Sequence, residues 1–252
     1  MKRFASCLVL LLLLTGFQPV APFPTRQIAR PAVYLSLLDR DSGRVLQRHP
    51  HQGQTWVAGE RGHRYAVRLR NATPERVLVV LSVDGINAVT GEVASPSQTG
   101  YVLRPWQTTD ITGWRKSRDE VAQFVFSPPG ESYAGRTGRG ENLGVVGIAV
   151  FREKEATRLV HRPLGAPAAA RSGDVAETRS ARLGTGHGSR EHSAVRDTTF
   201  IRATRSPAEV SELRYDSIQG LRARGIALDN GEEPTREPQA FPGRFVPDPP
   251  AD

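Results

Sequence analysis

Apolar and polar residues alternate most regularly at 63–70, where Tyr65, Val67 and Leu69 interleave with Arg64, Arg68 and Arg70. A period of two puts one set on each face, which predicts a half-buried β-strand. Residues 77–83 form a branched apolar run with neither face polar. That pattern predicts a strand covered on both sides, ended by the turn pair Asp84-Gly85. Further strands are predicted at 32–38, 44–49, 100–103, 110–114, 121–126 and 143–151. In the last, Val146, Ile148 and Val150 share a face, while Gly147 and Ala149 keep the other face low. Turn-forming clusters separate these runs: Asp39 to Gly43, Asn71 to Glu75, Pro128-Pro129-Gly130 and Gly135 to Gly140. Short β segments between such clusters, with no long helical period, predict a mainly β chain whose core, over 30–154, is an antiparallel β-sandwich or jelly-roll-like fold.

Beyond 154 the pattern changes. Residues 155–182 contain almost no large apolar side chain between Pro163 and Ala181, which predicts a flexible linker. Order is expected to resume at 198–202. Residues 209–215 then alternate like a strand, and 217–224 fit two helical turns closed by Gly225. So short a stretch cannot bury a core by itself, so 183–228 is expected to form a small strand-helix segment packed on the first sheet. The acidic, Pro-rich 229–252 reads as a disordered tail, with Phe241-Pro242-Gly243-Arg244-Phe245-Val246-Pro247 extended. At the other end, Lys2 and Arg3 precede an apolar run at 8–14, followed by Pro19, Pro22 and Pro24. This is the layout of a secretion signal over 1–24, or of an N-terminal anchor that touches the membrane if uncleaved. The expected location is the periplasm, the cell envelope or the medium.

Composition sharpens two points. The single cysteine, Cys7, lies ahead of the apolar run, so the mature chain is expected to form no disulfide and carry no lipid on cysteine. The 252 residues include 19 Pro and 24 Gly and are only 38% hydrophobic, so the packed core is smaller than the chain. The net charge of +8 favours anionic partners such as acidic glycans, lipid headgroups or nucleic acid. Lys occurs only at 2, 116 and 154, and the arginines are interspersed with acids. That distribution fits Arg-rich composition better than a nucleic-acid patch.

Several words in the chain carry a resemblance: Val83-Asp84-Gly85-Ile86-Asn87, Gly100-Tyr101-Val102-Leu103, Ile111-Thr112-Gly113-Trp114-Arg115-Lys116-Ser117, Val121-Ala122-Gln123-Phe124, Ser132-Tyr133-Ala134 and Gly147-Ile148-Ala149-Val150-Phe151, with Leu183-Gly184-Thr185-Gly186-His187-Gly188 and Tyr215-Asp216-Ser217 downstream. Over about residues 76–154 the chain resembles a group of uncharacterised exported bacterial proteins. The resemblance implies export and brings no established activity, so no catalytic residue is carried over from it.

The remaining chemistry is sparse. His49 and His51 stand two apart, as two ligands on one strand face would, with His63 as a third, but Pro50 argues against regular pairing and no Glu follows at the position a cupin motif needs. No metal and no cofactor is therefore expected. Gly184-Thr185-Gly186-His187-Gly188 reads either as an anion-cradling nest or as a flexible entry into a strand. Ser132 lacks the glycine spacing of a nucleophile elbow. Asp84, Glu92, Asp110, Asp119 and Glu120 are the carboxylates a hydrolase would draw on, yet their spacing sets no acid–base pair. No catalytic residue is assigned. The binding candidates are turn-flanking polar and amphipathic residues: Asp84, Asn87, Trp114, Arg115, Tyr133 and Asn142. The competing assignment makes these same residues internal, with Trp114 and Tyr133 plugging one end of the sandwich and Arg115 pairing with Asp84 or Asp110. The function expected from sequence is a non-enzymatic envelope module that binds a ligand, an envelope protein or an anionic glycan. An envelope hydrolase using loop carboxylates is the alternative, and a basic binder of anionic lipid, glycan or nucleic acid is the third.

Overall fold

The computed structural model describes residues 30–154 and 182–228. The expected signal, the tail and all of the expected linker except Arg182 lie outside the described residues. The chain divides into Met1–Arg30 and Pro31–Asp252, and the fold below belongs to the second unit.

Two sheets face each other across one apolar core. The first contains β1 (Val33–Asp39), β4 (Arg64–Asn71), β8 (Thr108–Ile111), β9 (Gly113–Arg115), β10 (Glu120–Ser127) and β12 (Gly184–His192). Its order is β1-β4-β10-β12, with β8 paired to β4 and β9 to β10. The second contains β2 (Arg48–His51), β3 (Gln54–Gly59), β5 (Val77–Val83), β6 (Ile86–Asn87), β7 (Tyr101–Leu103), β11 (Val145–Arg152) and β13 (Glu209–Ser217). Its order is β2-β3-β13-β11-β5, and β5 also pairs with β6 and β7. All pairings are antiparallel except β3 with β13, which is parallel. The mainly β, sandwich-like class expected from the pattern is the observed one.

Period-two patterning explains the core directly. Leu35 and Leu37 of β1, Tyr65, Val67 and Leu69 of β4, and Val79, Leu81 and Val83 of β5 all point into it. The run at 77–83 is apolar on both faces because Leu78 and Val80 pack on the outside with Ala149 and Phe151. Asp84 and Gly85 make the two-residue connection from β5 to β6, with Val83 opposite Ile86 and φ of 51° and 75°. Positive φ at both positions is the geometry for which Asp-Gly is favoured in tight hairpins, because its twist matches the strands.

The C-terminal segment packs on the core by completing both sheets. β12 extends the first sheet along β10, and β13 lies inside the second between β3 and β11. A helix over Ile218–Ala223 follows, α2 here, preceding it a short α1 at Tyr133–Arg136. Ser217 caps α2 by accepting from Gly220 N at 3.0 Å, and Gly225 closes it at φ 74°. Its Leu221, with Ile226, covers Trp56 on the outer face of the second sheet.

Three local expectations change. The glycine-rich stretch 184–188 is neither nest nor flexible entry: it is strand, with Thr185 opposite Phe126 and His187 opposite Phe124 before the register shifts. Its glycines are needed for close packing, since a Cβ on Gly184 would lie 2.7 Å from Ser132 Cβ. Pro50 does sit in a paired strand, because β2 is an edge where its missing N–H costs no ladder bond. Residues 54–59, not among the predicted strands, form β3, which pairs with β2 across the Gln52-Gly53 turn and in parallel with β13 about 160 residues downstream.

Candidate functional site

The six residues nominated from sequence have distinct positions. Asp84 and Asn87 are fully buried. Asn87 clamps its loop: its side-chain amide donates to Gln98 Oε1 (3.1 Å) and Thr99 O (3.0 Å), and its Oδ1 accepts from the N–H groups of Val89 and Thr90. Trp114 is 3% exposed, meets Phe124 edge-on at 5.2 Å and Tyr133 at 5.0 Å, and donates from Nε1 to Gly186 O at 3.3 Å. Tyr133 is half-buried under the guanidinium of Arg139, 5.7 Å from its ring centroid. Arg115 donates to Ser193 O and Ser193 Oγ. The sequence-level pairing of Arg115 with Asp110 or Asp84 is replaced: Asp110 receives a two-point bond from Arg68 at 2.7 and 2.8 Å, and Asp84 is held by other groups. Asn142 alone of the six is exposed, beside Gly85.

Asp84 sits in a polar network that joins the two sheets inside the core. Its carboxylate accepts from Tyr215 Oη (2.6 Å), Gly144 N (2.9 Å) and Thr185 N (2.6 Å). Thr185 Oγ1 lies 2.6 Å from Tyr215 Oη and 2.5 Å from Tyr65 Oη, so four oxygens form a chain. Burial outweighs these bonds and pushes the Asp84 pKa up to about 6. Burial, and then the nearby Asp84 charge, hold Tyr65 and Tyr215 well above the ordinary tyrosine range. A proton on Asp84 can be accommodated, because reversing the hydroxyl chain lets the acid donate to Tyr215. With no exposed surface, this network braces the sheets and offers nothing to a substrate.

A second polar cluster was not legible as such. Asp39 Oδ2 and His63 Nδ1 lie 2.8 Å apart, and Asp39 Oδ1 accepts from the N–H groups of Asp41 and Ser42. The Asp39 bond, then its charge, raise the His63 pKa, while for Asp39 burial is outweighed by His63 and the two backbone donors, which lower it. Asp41 is clasped by Arg64. Asp39, Asp41 and His63 are the one trio of ligating side chains among the described residues whose donor atoms converge within 4.8 Å. The triple of His49, His51 and His63 therefore does not converge. The cluster ties the turn after β1 to the start of β4.

A groove of about 560 Å³ lies on the outer face of the second sheet. Val80, Ala149 and Val210 stand opposite one another on β5, β11 and β13 and make an apolar row across its floor. The next row is Ser82, Gly147 and Glu212. A Cβ built on Gly147 would meet Glu212 Cγ and Ser211 O only at an ordinary contact distance of 3.9 Å, so a side chain there would have room. One end is walled by Trp56, whose ring lies 4.9 Å from the Arg224 guanidinium carbon and 5.9 Å from that of Arg214. The indole N–H of Trp56 is buried and has no hydrogen-bond partner among the described residues. Charges of both signs flank it: Arg224 lies 3.5 Å from Asp216 and Arg214 lies 3.8 Å from Glu212. Asn142 is the one nominated residue on its rim. Chemically this is an apolar slot with paired charges at one end, suited to holding an amphipathic molecule. The signal for it in the sequence was the low face of Gly147 and Ala149.

No protein-family model, no curated protein and no solved structure matches this chain.

Proposed function

We propose that this protein is an exported envelope module that works by binding, and that the groove on the outer face of its second sheet is the ligand site. The observation that carries the reading is Gly147. A glycine inside a strand costs roughly 0.5–1 kcal/mol relative to alanine, and packing does not require this one, because a side chain would have room. What the glycine does preserve is the depth of the groove. The volume falls within the span of roughly 300–1,000 Å³ common to small-molecule sites. Export rests on the charged start and short apolar run at the amino terminus.

The alternative of a hydrolase using loop carboxylates has less support. Asp84 is enclosed, Asp110 is clasped by Arg68, and Glu120 pairs with Arg190.

The test fills the groove without disturbing the core. With anilinonaphthalene sulfonate as the probe, the parent is expected to enhance dye fluorescence at the native state, and Gly147→Leu to lose most of that enhancement while its melting temperature stays within a few degrees. Equal enhancement in both proteins would place the dye elsewhere and remove the support for the groove.

A further inference from the structure

The outer face of the first sheet has a different character. On β4, Arg64, Arg68 and Arg70 all project outward, and the strand pairing aligns them with hydroxyls on both neighbours. Tyr34 stands opposite Arg70 on β1 and Thr108 opposite it on β8, while Ser36 stands opposite Arg68. Arg48, from the edge of the second sheet, reaches over to donate to Leu35 O. Tyr34, Ser36, Arg48, Arg68, Arg70 and Thr108 line a shallow depression of about 470 Å³.

Its charge is unbalanced. Arg64 is satisfied by Asp41 and Arg68 by Asp110, but Arg70 is exposed and has no ion-pair partner among the described residues. Within the depression and its Asp110 edge, three guanidiniums face one carboxylate. Tyr34 is 39% exposed, a ring standing beside that free guanidinium.

We infer that this face binds an acidic polysaccharide, with Arg70 and Arg48 taking sugar carboxylates, Tyr34 stacking on a sugar ring, and Ser36 and Thr108 bonding ring hydroxyls. Guanidinium forks match planar carboxylates in two-point bonds, a match already made between Arg68 and Asp110. A tyrosine ring supplies an apolar platform with a polar tip, as the C–H face and hydroxyl edge of a sugar require. Adjacent strands lie roughly 4.8 Å apart, so the row Tyr34, Arg70, Thr108 presents its three groups at short, regular steps along an extended chain. The other anionic polymers fit less well. A single aromatic gives no succession of stacking platforms for the bases of a single-stranded nucleic acid, and a face of hydroxyls and guanidiniums offers no apolar area to insert among lipid tails. This site is independent of the groove on the opposite sheet.

The experiment is titration calorimetry of the full chain with polygalacturonate at low and at physiological salt, with neutral dextran as the control polymer. Binding to polygalacturonate and none to dextran is expected. Arg70→Glu and Arg118→Glu change the net charge by the same amount, and Arg118 lies on an exposed loop paired with Asp197. Arg70→Glu is expected to weaken binding at least tenfold and Arg118→Glu less than twofold. Tyr34→Ala, which changes no charge, is expected to weaken it about fivefold. Melting curves within a few degrees of the parent establish that each variant folds. Equal weakening by the two charge reversals would reduce the effect to general attraction and overturn the site. Absence of polygalacturonate binding, or equally tight and equally Arg70-dependent binding to vesicles of anionic phospholipid, would overturn the assignment to an acidic polysaccharide.

Discussion

Asp84→Ala is expected to lose about 4 kcal/mol of stability, lowering the melting temperature by roughly 8–16 °C for a chain of this size. Two effects oppose each other. Removing a buried carboxylate relieves its desolvation, which favours the variant at neutral pH. Against that, Tyr215 Oη and the N–H groups of Gly144 and Thr185 lose their acceptor inside a closed core, each at about 1–3 kcal/mol. Alanine must also hold the positive φ of 51°, for roughly another 1 kcal/mol. The orphaned donors win. Asp84→Asn tolerates the turn geometry and keeps one acceptor, so it is expected to cost only about 2 kcal/mol. The pair also yields a pH test. The folded state raises the Asp84 pKa from 3.8 to about 6, so between those values it holds more protons than the unfolded chain. Stability attributable to this group is therefore fully present below about pH 4 and lost as pH rises through 6, a change of about 3 kcal/mol. His63 and Asp39 add their own pH dependence to the parent, and both groups are unchanged in Asp84→Asn. Subtracting the two denaturation series at each pH isolates Asp84. A flat difference from pH 4 to 7 would mean that Asp84 is not buried as described.

Trp114→Ala is expected to cost about 3–5 kcal/mol, in the range for truncating a large enclosed aromatic. The indole contacts Phe124 and Tyr133, and its N–H bonds Gly186 O on β12, so its loss opens a cavity against the strand that completes the first sheet. Arg115→Ala removes a half-exposed bond to Ser193 and is expected to cost under about 2 kcal/mol. Chemical denaturation of both variants checks the contrast. If Trp114→Ala melts within 1 kcal/mol of the parent, the plug assignment fails and Trp114 returns to the pool of binding residues.

These expectations differ from what the residues suggested before their surroundings were known. Asp84 stands in a turn, and polar turn residues ordinarily face water. It is buried because Thr185 and Tyr215, 101 and 131 positions away, close over it. Trp114 and Tyr133 carried both a surface and an internal reading, and the ring contacts put them together at one end of the core. The groove was half legible. Gly147 and Ala149 marked a low strand face, but that face lies in the outer sheet surface only because β13 pairs alongside β11, bringing Val210 into the row. The acidic and guanidinium pairs at its end come from β13 and from Arg224 just after α2, which contribute nothing recognisable until they are beside Trp56.

By itself the sequence determined where most strands of the first 154 residues run and which way their side chains point. The alternation at Tyr65, Val67 and Leu69, the two-sided run at 77–83, the Asp84-Gly85 turn and the caps of α2 are local facts, written at spacings of one to four residues that the backbone reads directly. Tertiary structure alone decided which strands are neighbours: that β3 pairs parallel with β13, that 184–188 is strand, that Asp84 is enclosed and that Arg70 has Tyr34 and Thr108 on either side. Those outcomes depend on pairings between segments tens to more than a hundred residues apart, whose energy comes from burial shared by both partners, and no one segment carries it in its own pattern.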